Sequence, residues 1–294
     1  MITSSYHVSR KLPHGRAVLV VAHPGHELTL AGWLTTVRPS VFVMTDGSGQ
    51  LGRSRLHSTT KGLLNAGARL GSIYGQFSDH EVYAAMLRHD VDLFLRVTFE
   101  LADWIFLDDV DYVVGDSAEG YNPMHDVCRI IIGGAVELAT RRRGRPIGNY
   151  EYVVTGPRDH CIAGRCAGTI KLRLGDDALE RKVADALAYP ELAGEVEAAI
   201  RRDGIEAFRY ECLHPVDNRM SWTPAEGDEP HYEEHGESRV ASGKYQRSIR
   251  YAEHIAPLYA AFWESISESL AAPAAPSMVD ASFLKIGGRQ TRPS

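Results

Sequence analysis

The sequence predicts an α/β fold: a mostly parallel sheet between two layers of helices, carrying a smaller C-terminal cap or extension. Three observations predict it. Short β-branched apolar runs alternate with segments of helical periodicity through the first half of the chain. Glycine-containing polar clusters stand where the strand-like runs end. The alternation then gives way, after about Asn149, to a different mixture of strands and helices. With 294 residues, 44% of them hydrophobic and 24% charged, the chain is long and apolar enough to bury a core.

Residues 16–22, Arg-Ala-Val-Leu-Val-Val-Ala, read as a strand that opens into a tight turn at His23, Pro24 and Gly25; residues 27–37 continue as a helix. Ser40–Thr45 repeats the strand signal and ends in Asp46-Gly47-Ser48-Gly49. Residues 58–70 have helical periodicity closing near Gly71, residues 90–108 form a longer helix, 111–115 a strand, and 127–142 another helix. Strands separated by helices favour parallel pairing, because right-handed crossovers join parallel strands economically. The result is a Rossmann-like three-layer sandwich. Beyond it, strands at 150–155 and 169–174, helices at 177–188 and 191–202, and a last amphipathic helix at 245–267 make up the extension. The expected division is a core over 1–148, an extension or cap over 149–269 completing the same domain, and a linker and tail over 270–294 that is disordered or docks on a neighbour.

Charge and composition exclude several classes of partner. A net charge of −6 gives no footprint for nucleic acid or an anionic membrane surface. The basic cluster Arg141-Arg142-Arg143-Gly144-Arg145 falls where a helix should end, and there it complements the helix dipole. No stretch approaches the roughly 20 apolar residues of a membrane helix, and no signal peptide is recognisable, so the expectation is a cytoplasmic protein with a small-molecule partner; a homo-oligomer stays open. Four cysteines are too few and scattered for a disulfide framework, and His160, Cys161 and Cys166 lack the paired spacing of a structural zinc site.

Ligands of open α/β sheets bind beyond the carboxyl ends of the strands. Three polar clusters fall there: His23 to Glu27, Asp46 to Gly49, and Asp116 to Asp126. His23 and His26 flank Pro24-Gly25 on a tight turn, and His125 lies in the loop after the strand ending near Asp116. Three neutral imidazoles with an open fourth position suit catalytic Zn2+, another divalent transition metal being the alternative, though a histidine pair among 13 histidines is weak evidence alone.

Ala22-His23-Pro24-Gly25-His26-Glu27 resembles the Ala-His-Pro-Asp-Asp-Glu motif of the PIG-L/LmbE family of zinc-dependent N-deacetylases. Asn122-Pro123-Met124-His125 resembles that family's later His-Pro-Asp-His signature, and Thr45-Asp46-Gly47 its strand-end loop. The resemblance covers residues 16–130, and more loosely the stretch from Asn149 to Leu258. It implies that His23, His26 and His125 hold the metal, His26 standing where the family has an aspartate ligand. It also implies departures. Gly25 occupies the position of the general base, Asn122 that of the histidine stabilising the oxyanion, and Met124 that of its accompanying acid.

Asn122 can still donate a hydrogen bond to a developing oxyanion. Replacement proton-transfer groups are Asp116, Asp46, Glu119 and Asp126; Asp116 is preferred because it ends a strand and belongs to the loop delivering His125. Asp126 reads either as a group orienting His125 or, preferably, as the N-cap of the following helix. Glu27 reads as a first-turn carboxylate bonding free backbone N–H groups. Tyr121 and His254 are within reach of the pocket from the cap, whereas His231 and His235 read as solvated loop residues. The activity implied is hydrolysis of an N-acylated amino sugar, sugar conjugate or related metabolite. The alternatives are a non-catalytic metal-binding or partner module, and the same metal site cleaving another bond.

Overall fold

The computed structural model describes residues 6–8, 11–49, 52–156, 167–220, 222–225 and 228–271. In chain order the strands are β1 (Tyr6–Val8), β2 (Ala17–Val21), β3 (Ser40–Thr45), β4 (Arg69–Phe77), β5 (Tyr112–Asp116), β6 (Gly148–Tyr152), β7 (Ile170–Leu174) and β8 (Tyr210–Pro215). The α-helices are α1 (Ala31–Val37), α2 (Leu56–Asn65), α3 (Asp79–Leu87), α4 (Val91–Leu107), α5 (Pro123–Arg143), α6 (Asp176–Leu187), α7 (Ala193–Asp203), α8 (His231–Ala241) and α9 (Ala256–Ala271).

Successive side chains of a strand face opposite ways, and a strand that is apolar at every position must be covered on both faces. β2 obeys this rule: Val18 and Val20 enter one core with residues of α4, α5 and α9, while Ala17, Leu19 and Val21 enter the other with Leu30, Trp33 and Leu34. The eight strands form one sheet in the order β1-β7-β8-β6-β5-β2-β3-β4. Pairings from β6 through β5, β2 and β3 to β4 are parallel, and β8, β7 and β1 continue the sheet antiparallel. The chain is therefore an α/β sandwich with helices on both faces, as its sequence pattern predicts.

Several elements differ from the sequence reading for identifiable reasons. The helix expected over 58–70 ends at Asn65, and Arg69–Phe77 is the edge strand β4, whose largely exposed residues and two glycines give no continuous apolar run. The capping box Ser78/Glu81 starts α3, which the periodicity reading passes over. α5 starts at Pro123 with Asn122 as N-cap, so Asp126 lies inside its first turn and is not the cap. Strand β6 begins at Gly148, so the sheet runs unbroken across the 148/149 boundary; β8, unread in the sequence, joins the later strands to it. His231 and His235 lie on α8 and not in a loop. Leu270 and Ala271 still belong to α9, and the remainder of the expected tail lies outside the described residues, as do His160, Cys161 and Cys166.

At the end of α5, Arg142 pairs with Asp103, Arg143 with Asp109, and Arg145 with Asp111. Gly144 closes that helix in the left-handed region, so the basic cluster is a helix end tied to α4 and to the loop that follows it. Cys128 is a buried free thiol, and Cys212 is buried on β8. Among the described residues no helix is long and apolar enough to cross a membrane.

One buried ion pair fastens the later residues to the first turn. Lys182 of α6 donates to Glu211 of β8 at 2.8 Å and to the Thr29 carbonyl at 2.6 Å. Glu211 also accepts the Gly32 and Trp33 N–H groups at 2.9 and 2.8 Å, satisfying the free donors at the start of α1. The helix that follows His26 is therefore held from the far half of the sequence.

Candidate functional site

β5, β2 and β3 are adjacent and parallel, so the segments that follow them emerge at one edge of the sheet. His23 and His26 leave β2, the Asp46–Gly49 loop leaves β3, and β5 ends on Asp116, beyond which α5 presents His125 in its first turn. The three imidazoles meet there. Ring centroids are 5.3 Å apart for His23 and His26, 5.5 Å for His23 and His125, and 4.6 Å for His26 and His125.

The hydrogen bonds on the far sides of two rings define their orientation. His26 Nδ1 lies 2.7 Å from Asp116 Oδ2. His23 Nδ1 lies 2.8 Å from Thr45 Oγ1 and 3.1 Å from Asp79 Oδ1. His23 Nε2 and His125 Nδ1 are buried and have no hydrogen-bond partner among the described residues. A buried imidazole nitrogen without a partner is costly unless something accepts its lone pair. Burial, followed by the charge of His26, pushes His125 well below the ordinary imidazole range, which keeps it neutral as a ligand must be.

These features fit a bound divalent cation. With metal–nitrogen bonds near 2.1 Å, an ion sits about 3.2 Å from each ring centre, and tetrahedral angles separate the centres by about 5.2 Å. The observed spacings bracket that value. As the side chains stand, no group of three or more His, Cys, Asp or Glu among the described residues is arranged to hold a metal ion. Carboxylates behind His23 and His26 match the outer partners that metal-bound histidines use.

Asp116 is fully buried, and both its oxygens are occupied: Oδ2 by Ala22 N–H and His26, Oδ1 by the Tyr152 hydroxyl at 2.7 Å. Burial acts to raise its pKa, but the charge and hydrogen bond of His26, with His125 and Ala22, outweigh it and hold the carboxyl well below the usual range. Exchange of a proton with a reacting group, the role that its sequence position suggests, does not fit these surroundings. Asp116 lies behind His26, hydrogen-bonded at its Nδ1.

Of the other carboxylates, Asp46, Glu119 and Glu27 are engaged by hydrogen bonds, and Asp126 is engaged at one oxygen only. Asp46 Oδ1 accepts from Ser48 N and Oγ within its own turn. Glu119 binds Ser117, Val154 and Thr155, joining the loop after β5 to the one after β6. Asp126 Oδ1 accepts the Glu119 and Gly120 N–H groups, its Oδ2 is buried with no hydrogen-bond partner among the described residues, and burial raises its carboxyl to about 7. Glu27 accepts the Gly25 N–H at 2.7 Å, the backbone bond its first-turn position suggests, and the Thr59 hydroxyl at 2.7 Å. Asn122 accepts the Met124 N–H through Oδ1, which leaves its amide donors uncommitted to the cap.

Tyr121 is 45% exposed at the rim, tilted against His125 at 6.5 Å and stacked on His231 at 4.3 Å. His254 is buried elsewhere: its ring stacks on His89 and accepts from Arg250 N. Asp79 and Tyr152, which the sequence reading missed, and Thr45, read there only as part of the strand-end loop Thr45-Asp46-Gly47, are the hydrogen-bond partners of His23 and Asp116. Of the two missed residues, Asp79 had a local signal, its position just after the cap of a helix.

Gly25 explains the altered motif. Its φ of +105° lies where L side chains are strained, and a Cβ there would stand 2.3 Å from Leu192 Cδ1 and 3.8 Å from Tyr189 Cζ. The segment between α6 and α7 thus covers Gly25.

No protein-family profile matches the chain, and no curated protein matches it in sequence. Among solved structures it is similar to the A40926 pseudoaglycone deacetylase Dbv21, at 17% identity over 71% of this chain and 99% of that one, with a TM-score of 0.44. It is similar also to a triple mutant of a deacetylase from the teicoplanin biosynthetic pathway (16% identity, 68% and 97% coverage, TM-score 0.44). The zinc-inhibited form of teicoplanin deacetylase Orf2 gives 14% identity, the same coverages and a TM-score of 0.42. Likeness at this level concerns the course of the chain and is no argument about chemistry.

Proposed function

We propose that this chain is a zinc-dependent hydrolase that removes the acyl group from an N-acylated amino sugar or a related small metabolite. The observation that carries the reading is the trio of imidazoles at the strand ends, two of them backed by carboxylates at Nδ1 and one with a buried, unpartnered Nε2. His23, His26 and His125 would hold the ion. Zinc bound there would supply a Lewis acid that polarises the acyl carbonyl and lowers the pKa of water. Asp116 and Asp79 keep two of the rings in register, and the Asn122 amide offers N–H donors at the mouth of α5 for charge developing on the carbonyl oxygen.

A second reading, a metal-binding module without catalysis, draws support from the Leu192 methyl over Gly25 and from the sequestered Asp116. Two measurements separate the readings. Elemental analysis is expected to give one zinc per chain, lost in His125→Ala, and hydrolysis of a panel of N-acetylated sugars is expected from the zinc-loaded wild type. Zinc without hydrolysis of any N-acyl substrate favours the binding module, and absence of zinc from both proteins refutes the triad.

A further inference from the structure

We propose that Asp79 is a positioning residue for His23: it accepts the Nδ1–H of that imidazole and so fixes the tautomer that leaves Nε2 bare toward His26 and His125. The inference rests on the reading of His23 as a metal ligand. The geometry dictates where the proton sits. An ionised carboxylate only accepts, so the 3.1 Å approach of Asp79 Oδ1 to His23 Nδ1 requires hydrogen on that nitrogen. Thr45 Oγ1, 2.8 Å from the same nitrogen, donates its own hydrogen to the Ala22 carbonyl and is left as a second acceptor. A neutral ring with its proton on Nδ1 has a lone pair on Nε2, the atom that is buried without a partner.

Asp79 is itself held from two sides. It is the first residue of α3, after the Ser78/Glu81 capping box, and its Oδ2 accepts the Gly49 N–H at 2.7 Å. A Cβ on Gly49 would lie 2.7 Å from that oxygen, so the loop after β3 reaches the carboxylate only because residue 49 is glycine. One side chain thereby joins the turn after β2, the loop after β3 and the start of α3.

The test reads the tautomer directly. In metal-free protein, imidazole ¹⁵N resonances of His23, assigned by their loss in His23→Gln, are expected to report Nδ1–H in the wild type. Asp79→Ala is expected to shift His23 toward Nε2–H, and Asp79→Asn, whose amide oxygen still accepts, to retain Nδ1–H. Zinc affinity, measured by competition with a chromophoric chelator, is expected to fall about 10- to 100-fold in the alanine variant and by a smaller factor in the asparagine variant. An unchanged tautomer in Asp79→Ala, or zinc affinity within twofold of wild type, overturns the proposal. If the alanine variant does not fold, Asp79→Asn decides: a switch to Nε2–H in it refutes the assignment, and retained Nδ1–H with the smaller loss supports it. Wild-type protein that binds no zinc would sink the metal reading alone, because the ring's tautomer is still measured.

Discussion

Placing an aspartate at position 25 is the substitution that the resemblance of Ala22–Glu27 to the Ala-His-Pro-Asp-Asp-Glu motif invites, and the structure argues that it fails. Gly25 has φ +105° and ψ −20°, a conformation that costs a non-glycine residue about 1–3 kcal/mol. Its Cβ would overlap the Leu192 Cδ1 methyl, the end of a flexible side chain that escapes by changing rotamer at about 0.5–1.5 kcal/mol. The backbone term is the larger. Gly25→Ala is expected to lower stability by about 2–4 kcal/mol in denaturant titration, with Leu192→Ala recovering less than half of that in the double variant. Gly144→Ala is the control: φ is +68° and ψ +10°, also left-handed, with nothing within 4 Å of the new Cβ, so it carries a left-handed backbone term alone. Gly25→Asp adds a carboxylate to this strain and is expected to lose stability without gaining N-acyl hydrolysis. A Gly25→Ala variant within about 0.5 kcal/mol of wild type, a shift typical of an ordinary surface change, would refute the reasoning.

Asp116→Asn separates positioning from proton transfer: positioning of His26 implies about 10- to 100-fold weaker zinc binding by chelator competition, whereas unchanged zinc affinity with a large fall in kcat would return Asp116 to proton transfer. Lys182→Ala leaves the buried Glu211 carboxylate without its cation and is expected to cost about 3–5 kcal/mol by chemical denaturation; Lys182→Met combined with Glu211→Gln should cost less than that single change. Asn122→Asp keeps an acceptor for the Met124 N–H but removes the amide donors, so wild-type stability with a roughly 100- to 1,000-fold lower kcat is expected if the amide meets the oxyanion. Asn122→Ala should add a stability loss of about 1 kcal/mol from the missing cap, read as a shift in thermal midpoint.

The sequence by itself determined the strands that matter most and the residues at their ends. β2 and β3 are short, β-branched and buried on both faces, so their apolar runs are unbroken and end abruptly at His23 and Asp46. The same logic brings His125 near them, since parallel neighbours deliver their following loops to one edge. Tertiary structure decided the rest. β4 escapes the pattern because an edge strand exposes much of its length, and α3 because its signal is a cap and not a stripe. Whether Asp116 faces a reacting group or backs His26 depends on which neighbours take its two oxygens. Those are Ala22 and Tyr152, placed by strands β2 and β6 on either side of β5. Asp79 and Leu192 reach the first turn from distant segments that periodicity cannot connect to it. Periodicity records which face of an element is buried; the partner across the gap is set by how the sheet orders its strands and where each loop lands.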